Sequence, residues 1–332
     1  MLNILSEPIT IHNVDLKNRL VLPPMATGKA DHGEVSASIL AYYGEKSRGG
    51  HIGLVITEHM YVSDEGIAHG GQMSIAHDEN VEGLRSLAGQ IQANGCKVVA
   101  QINHAGRAAD SKLTGEPVLY VSLPVDGSPE AVPGLSPKEI DQEDIDRITA
   151  CFSSAALRAK NAGFDGVEIH SAHGYLLTQF YSPLSNQRTD AYGGSLEARI
   201  RIHLEIIRAV RMAVGPDYLV ALRLGASDYQ EGGITIEDSL FAAKAFEEAG
   251  VDLLDISGGF CGYTRPGHHE QGHFAELSEA IRKVVRIPVI LTGGIVDSKV
   301  ADDLLAAGKA DLVGVGRAIL KDSDWARKAF EE

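Results

Sequence analysis

His170, His173 and Tyr175 follow the apolar run 164–169 within six positions, a cluster of polar rings directly past a strand. Where a strand of a parallel-sheet enzyme ends, such groups stand at the face that carries chemistry. Two neutral imidazoles there can donate to a bound oxygen, and a phenol beside them can supply a proton. The same pair of histidines can ligate a metal if His104 or one of His268, His269 and His273 adds a third ligand. No H-E-x-x-H pattern accompanies them, so the hydrogen-bonding role is the stronger expectation and no metal is assigned. Packed, inert histidines and a structural loop tyrosine are the plain alternatives.

Other residues of chemical interest are scattered along the chain: Pro24-Met25-Ala26, His59, Gln101 with His104, Arg223, Ser257-Gly258-Gly259, Gly293-Gly294 and Gly316-Arg317. Arg223 closes the run Leu219-Val220-Ala221-Leu222, where a guanidinium is costly unless it faces an anion. Glu168 is one candidate partner, and a ligand that develops negative charge is the other. The glycine pairs leave backbone N–H groups bare for a phosphate, with Arg317 as a clamp, or they simply make tight turns.

Whether these residues meet depends on the elements between them. Residues 9–11 and 14–16 flank His12-Asn13 as a short hairpin, a plug for one end of a barrel. Strands are expected at 19–22, 53–61, 97–102, 165–169, 218–224, 252–256, 288–291 and 311–315. Helices are expected at 36–46, 80–93, from 136 to 161, 196–214, 236–249, 275–285 and 297–307, with a last one in DSDWARKAFEE. The 136 start rests on Ser136-Pro137-Lys138-Glu139, which has capping-box spacing with proline in the first turn. Eight strands alternating with helices imply parallel pairing and right-handed crossovers. The fold class is therefore α/β, a single (β/α)8 TIM barrel spanning 1–332, with an N-terminal hairpin and a long loop, 103–137, after strand 3. In that fold every candidate listed above lies just past a strand, on one rim. The segments 103–137 and 260–274 are expected to wall the pocket there.

Composition narrows the class of function. The 332 residues are 44% apolar and 23% charged, enough for a sizeable core, and the net charge of -15 leaves no basic excess for a nucleic-acid partner. Cys96, Cys151 and Cys261 form no C-x-x-C pair, so neither disulfides nor a cysteine-held cluster is indicated, and a cytoplasmic location fits. No apolar run approaches the ~20 residues that cross a bilayer, and the amino terminus lacks the pattern of an export signal. Homo-oligomerisation is the base-rate expectation for such a chain.

The stretches NRLVLPPM (18–25), QINHAGR (101–107), GVEIHSAHGYLLTQFYSPLSNQRTDAYGGSLEAR (166–199), LRLGASD (222–228) and VGVGRAIL (313–320) resemble the old yellow enzymes. These are FMN-dependent ene-reductases built on one (β/α)8 barrel. The resemblance implies bound FMN, with NADH or NADPH as reductant and a small unsaturated carbonyl compound as substrate. It implies a flavin site of Pro24, Met25, Ala26, His59, Gln101 and Arg223, with Gly293, Gly294, Gly316 and Arg317 at the phosphate. It further implies that His170 and His173 bind the acceptor oxygen, hydride passes from flavin N5 to the β-carbon, and Tyr175 gives the α-carbon its proton. Arg223 would stabilise the reduced flavin.

Three departures from the family pattern matter. Ala26 stands where many relatives have Cys or Thr beside a flavin carbonyl, unless Thr27 substitutes. The chain ends at Glu332, so electrons are not expected through a tethered iron–sulfur cluster. The residues after Arg327 do not match a carboxy-terminal arginine finger. Two other readings stay open: a flavin dehydrogenase or demethylase that passes electrons to a partner protein, and a non-redox barrel binding a phosphorylated ligand.

Overall fold

In the computed structural model, residues 4–123 and 134–331 are described. Eight parallel strands close on themselves: β3 (Leu20–Leu22), β4 (Leu54–Ile56), β6 (Lys97–Asn103), β9 (Gly166–Ser171), β10 (Leu219–Gly225), β11 (Leu253–Ser257), β12 (Val289–Leu291) and β13 (Leu312–Gly314). Closure is made by β13 on β3 and by β4 on β6, with β6 pairing onward to β9. The hairpin of β1 (Ile9–Ile11) and β2 (Val14–Leu16) precedes the barrel, as the alternation around His12-Asn13 predicts.

Side-chain alternation sorts the barrel interior into layers. On β10, Leu219 and Ala221 point inward and Val220, Leu222 and Leu224 pack outward against the helices. The inward apolar set, with Val21, Leu54, Ile56, Val99, Leu253, Ile290 and Leu312, meets Ile11, Val14 and Leu16 of the hairpin, which stoppers that end. One inward step further along, the lining turns polar: Gln101, Glu168, Arg223 and Asp255, all buried. Above them stands His170. Registers Gln101↔Glu168, Arg223↔His170 and Arg223↔Asp255 set these groups side by side.

Apart from shifts of a few residues at element ends, three stretches differ from the sequence expectation. Residues 53–61 are not one strand: after β4, the Glu58 N–H donates to Tyr43 Oη at 2.7 Å instead of to a neighbouring strand, and pairing resumes only at β5 (Met60–Tyr61). The helix expected from 136 starts six residues later, at Gln142, behind a capping box between Asp141 and Asp144. Lys138–Glu139, β8, instead pairs with β7, Leu119–Tyr120, and Lys138 reaches both Asp141 and Asp144, so the true box outcompetes its upstream imitation. The helix expected at 196–214 breaks at Ile200 into Leu196–Arg199 and Arg201–Val214.

Candidate functional site

The rim where the strands end encloses a cavity of about 580 Å³. Pro24, Met25, Ala26, His59, Gln101, His170, His173, Tyr175, Arg223, Gly293, Gly294, Gly316 and Arg317 all border it, whereas His104 and Ser257-Gly258-Gly259, also expected on this rim, do not. Pro23, Gly262, Tyr263, Thr292, Ile295, Gly314 and Leu320 join them. Tyr263 belongs to 260–274, one of the two segments expected to wall the pocket. The other does not do so: no described residue of 103–137 borders the cavity. Its start is folded away, with the Arg107 guanidinium over the Phe260 ring and the Arg107 N–H on Gln179. Residues 124–133 lie outside the described part. Arg265 is also turned aside, onto Glu276 and the Tyr229 ring.

The ring cluster is built by a strained turn. His173 has φ 61 and Gly174 φ 75, a left-handed pair that costs a β-carbon-bearing residue roughly 1–2 kcal/mol at position 173. The turn is held by His173 N–H on the Gly258 carbonyl and by Leu176 N–H on the His104 carbonyl, which gives His104 a loop-anchoring role. As a result the His170 ring is perpendicular to His173 at 5.2 Å and stands 5.3 Å from Tyr175. His173 Nε2 meets Ser257 Oγ at 2.7 Å. His170 Nδ1 is buried without a hydrogen-bond partner among the described residues, which leaves Nε2 as the nitrogen open to the cavity.

Burial fixes the protonation states. The His170 imidazole is held well below its ordinary pKa by burial, then by the fields of His173, His59 and Arg223. Burial, Arg223 and His59 do the same to His173. Both rings are neutral donors at physiological pH. Burial raises the Tyr175 phenol, which keeps its proton in place.

Beneath the rings, Arg223 Nε lies 3.2 Å from Asp255 Oδ2, so Asp255, not Glu168, is the ion-pair partner. Sequence alone does not decide between the two, because Glu168 and Asp255 both fall at inward positions on strands that flank β10. Glu168 is bound instead by the Gln101 amide at 2.7 Å. Its carboxyl is pushed up to about 8, by burial first and then by the Asp255 charge, against Arg223 and Gln101. A carboxyl raised in the folded chain holds a proton that the unfolded chain has already released. The Glu168 contribution to stability is therefore greatest below the ordinary carboxylate range and falls as pH rises toward about 8, by at most ~1.4 kcal/mol per pH unit. Glu168→Gln is expected to flatten that part of the slope, read from urea midpoints between pH 5 and 8; an unchanged slope would show Glu168 ionised throughout.

The cavity fits a planar ring system carrying a phosphate. Arg223 and Gln101 both line it, a donor and acceptor set suited to the polar edge of an isoalloxazine. Where the glycines line it, a Cβ on Gly314 would lie 2.6 Å from Thr292, and Gly294, at φ 70, has Arg317 beside it. Only a bare backbone allows that approach. Thr27 does not stand in for the side chain missing at Ala26, because its N–H and hydroxyl are both bound to Glu58. Sequence reasoning also missed His203, buried behind the site with Nε2 2.8 Å from Ser171 Oγ, since nothing in helix 201–214 marks it.

Fold and site together define a (β/α)8-barrel oxidoreductase of the flavin-binding class. A model of the NADH:flavin oxidoreductase / NADH oxidase family matches residues 4–332, and the chain belongs to that family of FMN-linked, NAD(P)H-using enzymes. It is 41% identical to an NADH oxidase of Thermoanaerobacter brockii, over 97% of this chain and 50% of the relative. It is 36% identical to an NADPH dehydrogenase of Clostridium acetobutylicum, over 95% of this chain and 91% of the relative. A 2-naphthoyl-CoA reductase in complex with 2-naphthoyl-CoA superposes with a TM-score of 0.92 at 29% identity, over 100% of this chain and 52% of that one. The chain thus spans about half the length of some relatives and nearly all of others. No described helix is long and apolar enough to cross a membrane.

Proposed function

We propose that this chain reduces the activated C=C bond of an α,β-unsaturated carbonyl compound at the expense of NADH or NADPH. The observation that carries the reading is the convergence of two neutral imidazoles, one buried phenol and one buried guanidinium on a single cavity. Bound FMN supplies the hydride, taken from the nicotinamide and given to the alkene. Gln101 and Arg223 would hold its pyrimidine edge, Pro24, Met25 and Ala26 its ring, and Gly293, Gly294, Gly316 and Arg317 its phosphate.

The rest is the work of the chain's own side chains. His170 and His173 donate to the acceptor oxygen and withdraw electron density from the β-carbon, most strongly as charge builds on that oxygen. Being neutral, they add no charge to that of Arg223, which also lines the cavity. Tyr175 protonates the α-carbon.

The expected result with FMN-loaded protein is rapid anaerobic bleaching by NADH or NADPH, followed by reoxidation on adding 2-cyclohexen-1-one, with parallel initial-rate lines in steady state. Bleaching only by an amine or another reduced organic substrate would favour the dehydrogenase reading. Colourless protein that cannot be loaded would favour the non-redox one.

A further inference from the structure

The turn that aims His173 and Tyr175 is held by a side chain that borders no part of the cavity. Gln179 lies fully buried in the short helix Leu176–Tyr181. The Arg107 N–H can only donate, and it donates to Gln179 Oε1 at 3.0 Å, which fixes the orientation of the amide. The amide nitrogen then directs its two hydrogens at carbonyls, Ala105 at 2.9 Å and Gly174 at 2.7 Å. Two loops therefore meet at one amide, the loop after β6 and the turn after β9.

The clamp closes on itself. Arg107 lays its guanidinium over the Phe260 ring, 4.8 Å from its centre, and that ring lies against Gly174, where an added Cβ would come within 3.0 Å of it. Phe260 is fastened in turn by its N–H on Asp228 Oδ1 at 2.7 Å. Gly174 is thus gripped at its carbonyl by Gln179 and at its Cα by Phe260. Its neighbour His173 needs that grip, because a residue with a Cβ leaves φ 61 when nothing holds it there. His170 does not need it, since β9 pairs it with Arg223 of β10. Room for the amide exists because residue 106 is glycine: a Cβ there would collide with Gln179 Oε1.

We propose that Gln179 is a positioning residue whose amide, shared between the loop after β6 and the turn after β9, holds His173 and Tyr175 in their working places. The inference rests on the reading of these rings as the groups that bind and protonate the alkene. It adds no chemical step.

Gln179→Met keeps most of the side-chain volume and removes the three hydrogen bonds. Gly106→Ala pushes the same amide aside from the other loop, and serves as a second route if Gln179→Met does not fold. In FMN-loaded protein labelled with nitrogen-15 in histidine, both substitutions are expected to displace the ring signals of His173, whose Nε2 meets Ser257 Oγ at 2.7 Å. Those of His170 should stay largely in place. Single-turnover reoxidation of the reduced protein by saturating 2-cyclohexen-1-one should slow about 10–100-fold in either variant, and no further in the double variant. Gln179→Glu sets a carboxylate against two carbonyls when ionised and donates again when protonated. Its rate relative to the unsubstituted protein should recover as pH falls from about 8 to about 6, while Gln179→Met stays slow. Unmoved His173 signals, losses that multiply in the double variant, or a Gln179→Glu rate indifferent to pH would each overturn the proposal. Displaced His173 signals with undiminished alkene reduction would uphold the clamp and overturn instead the assignment of these rings to the alkene. Protein that takes up no FMN would overturn the flavin reading, and its ring signals would still test the clamp.

Discussion

Tyr175→Phe is expected to slow alkene reduction by about 10²–10⁴-fold, the usual worth of a positioned general acid, while NADH or NADPH still bleaches the bound flavin at close to the unsubstituted rate. On the proposed reading the phenol serves as the acid, since His170 and His173 are held neutral by burial and charge and neither gives up its one N–H proton readily. Burial raises the phenol's own pKa, so the proton is present over the whole physiological range and the rate should fall only on the alkaline side. Removing the hydroxyl leaves the ring in place against His59 and His170, so binding of a carbonyl ligand should change little. Stopped-flow measurement of the two half-reactions separates the cases. Equal loss in both would mean that Tyr175 shapes the cavity and donates nothing.

Arg223→Met is expected to destabilise the barrel by about 3–5 kcal/mol and to abolish FMN retention, because it strands Asp255 in the interior. Asp255 is fully buried, its carboxylate oxygens have no hydrogen bond, and Arg223 is its ion-pair partner at 3.2 Å. Burial already pushes that carboxyl up to about 6 against the pull of the guanidinium. Without the guanidinium it goes higher, so the penalty should be smaller at pH 5, where protonation relieves it, than at pH 8. Adding Asp255→Leu should restore much of the stability but none of the cofactor affinity, a non-additivity that denaturant midpoints and flavin titration resolve. If the double variant regains FMN, Arg223 serves the barrel and not the ligand.

Much of this was legible in residue spacing. The β/α period gave the barrel because strands buried on both faces read as short apolar runs, and the barrel rule then carried Pro24, Gln101, His170, Arg223 and Gly293 to one rim although they are far apart in sequence. What escaped was decided by competition between equally good local signals. Ser136-Pro137-Lys138-Glu139 and Asp141 to Asp144 both have capping-box spacing, and only the ladder to Leu119–Tyr120 settles which one nucleates the helix. The partner of Arg223 depended on cross-strand register, which no single strand reveals. The place of Gln179 depended on which backbone groups of two loops its amide meets.

The hairpin Ile9–Leu16 has a consequence for traffic. Among the described residues, Ile11, Val14 and Leu16 cork one mouth of the cylinder, and the cavity lies at the opposite rim. On the proposed reading, the nicotinamide and the alkene would enter by the same doorway, beside a resident cofactor. On that reading, turn-taking is built in by an eight-residue hairpin that borders no part of the cavity.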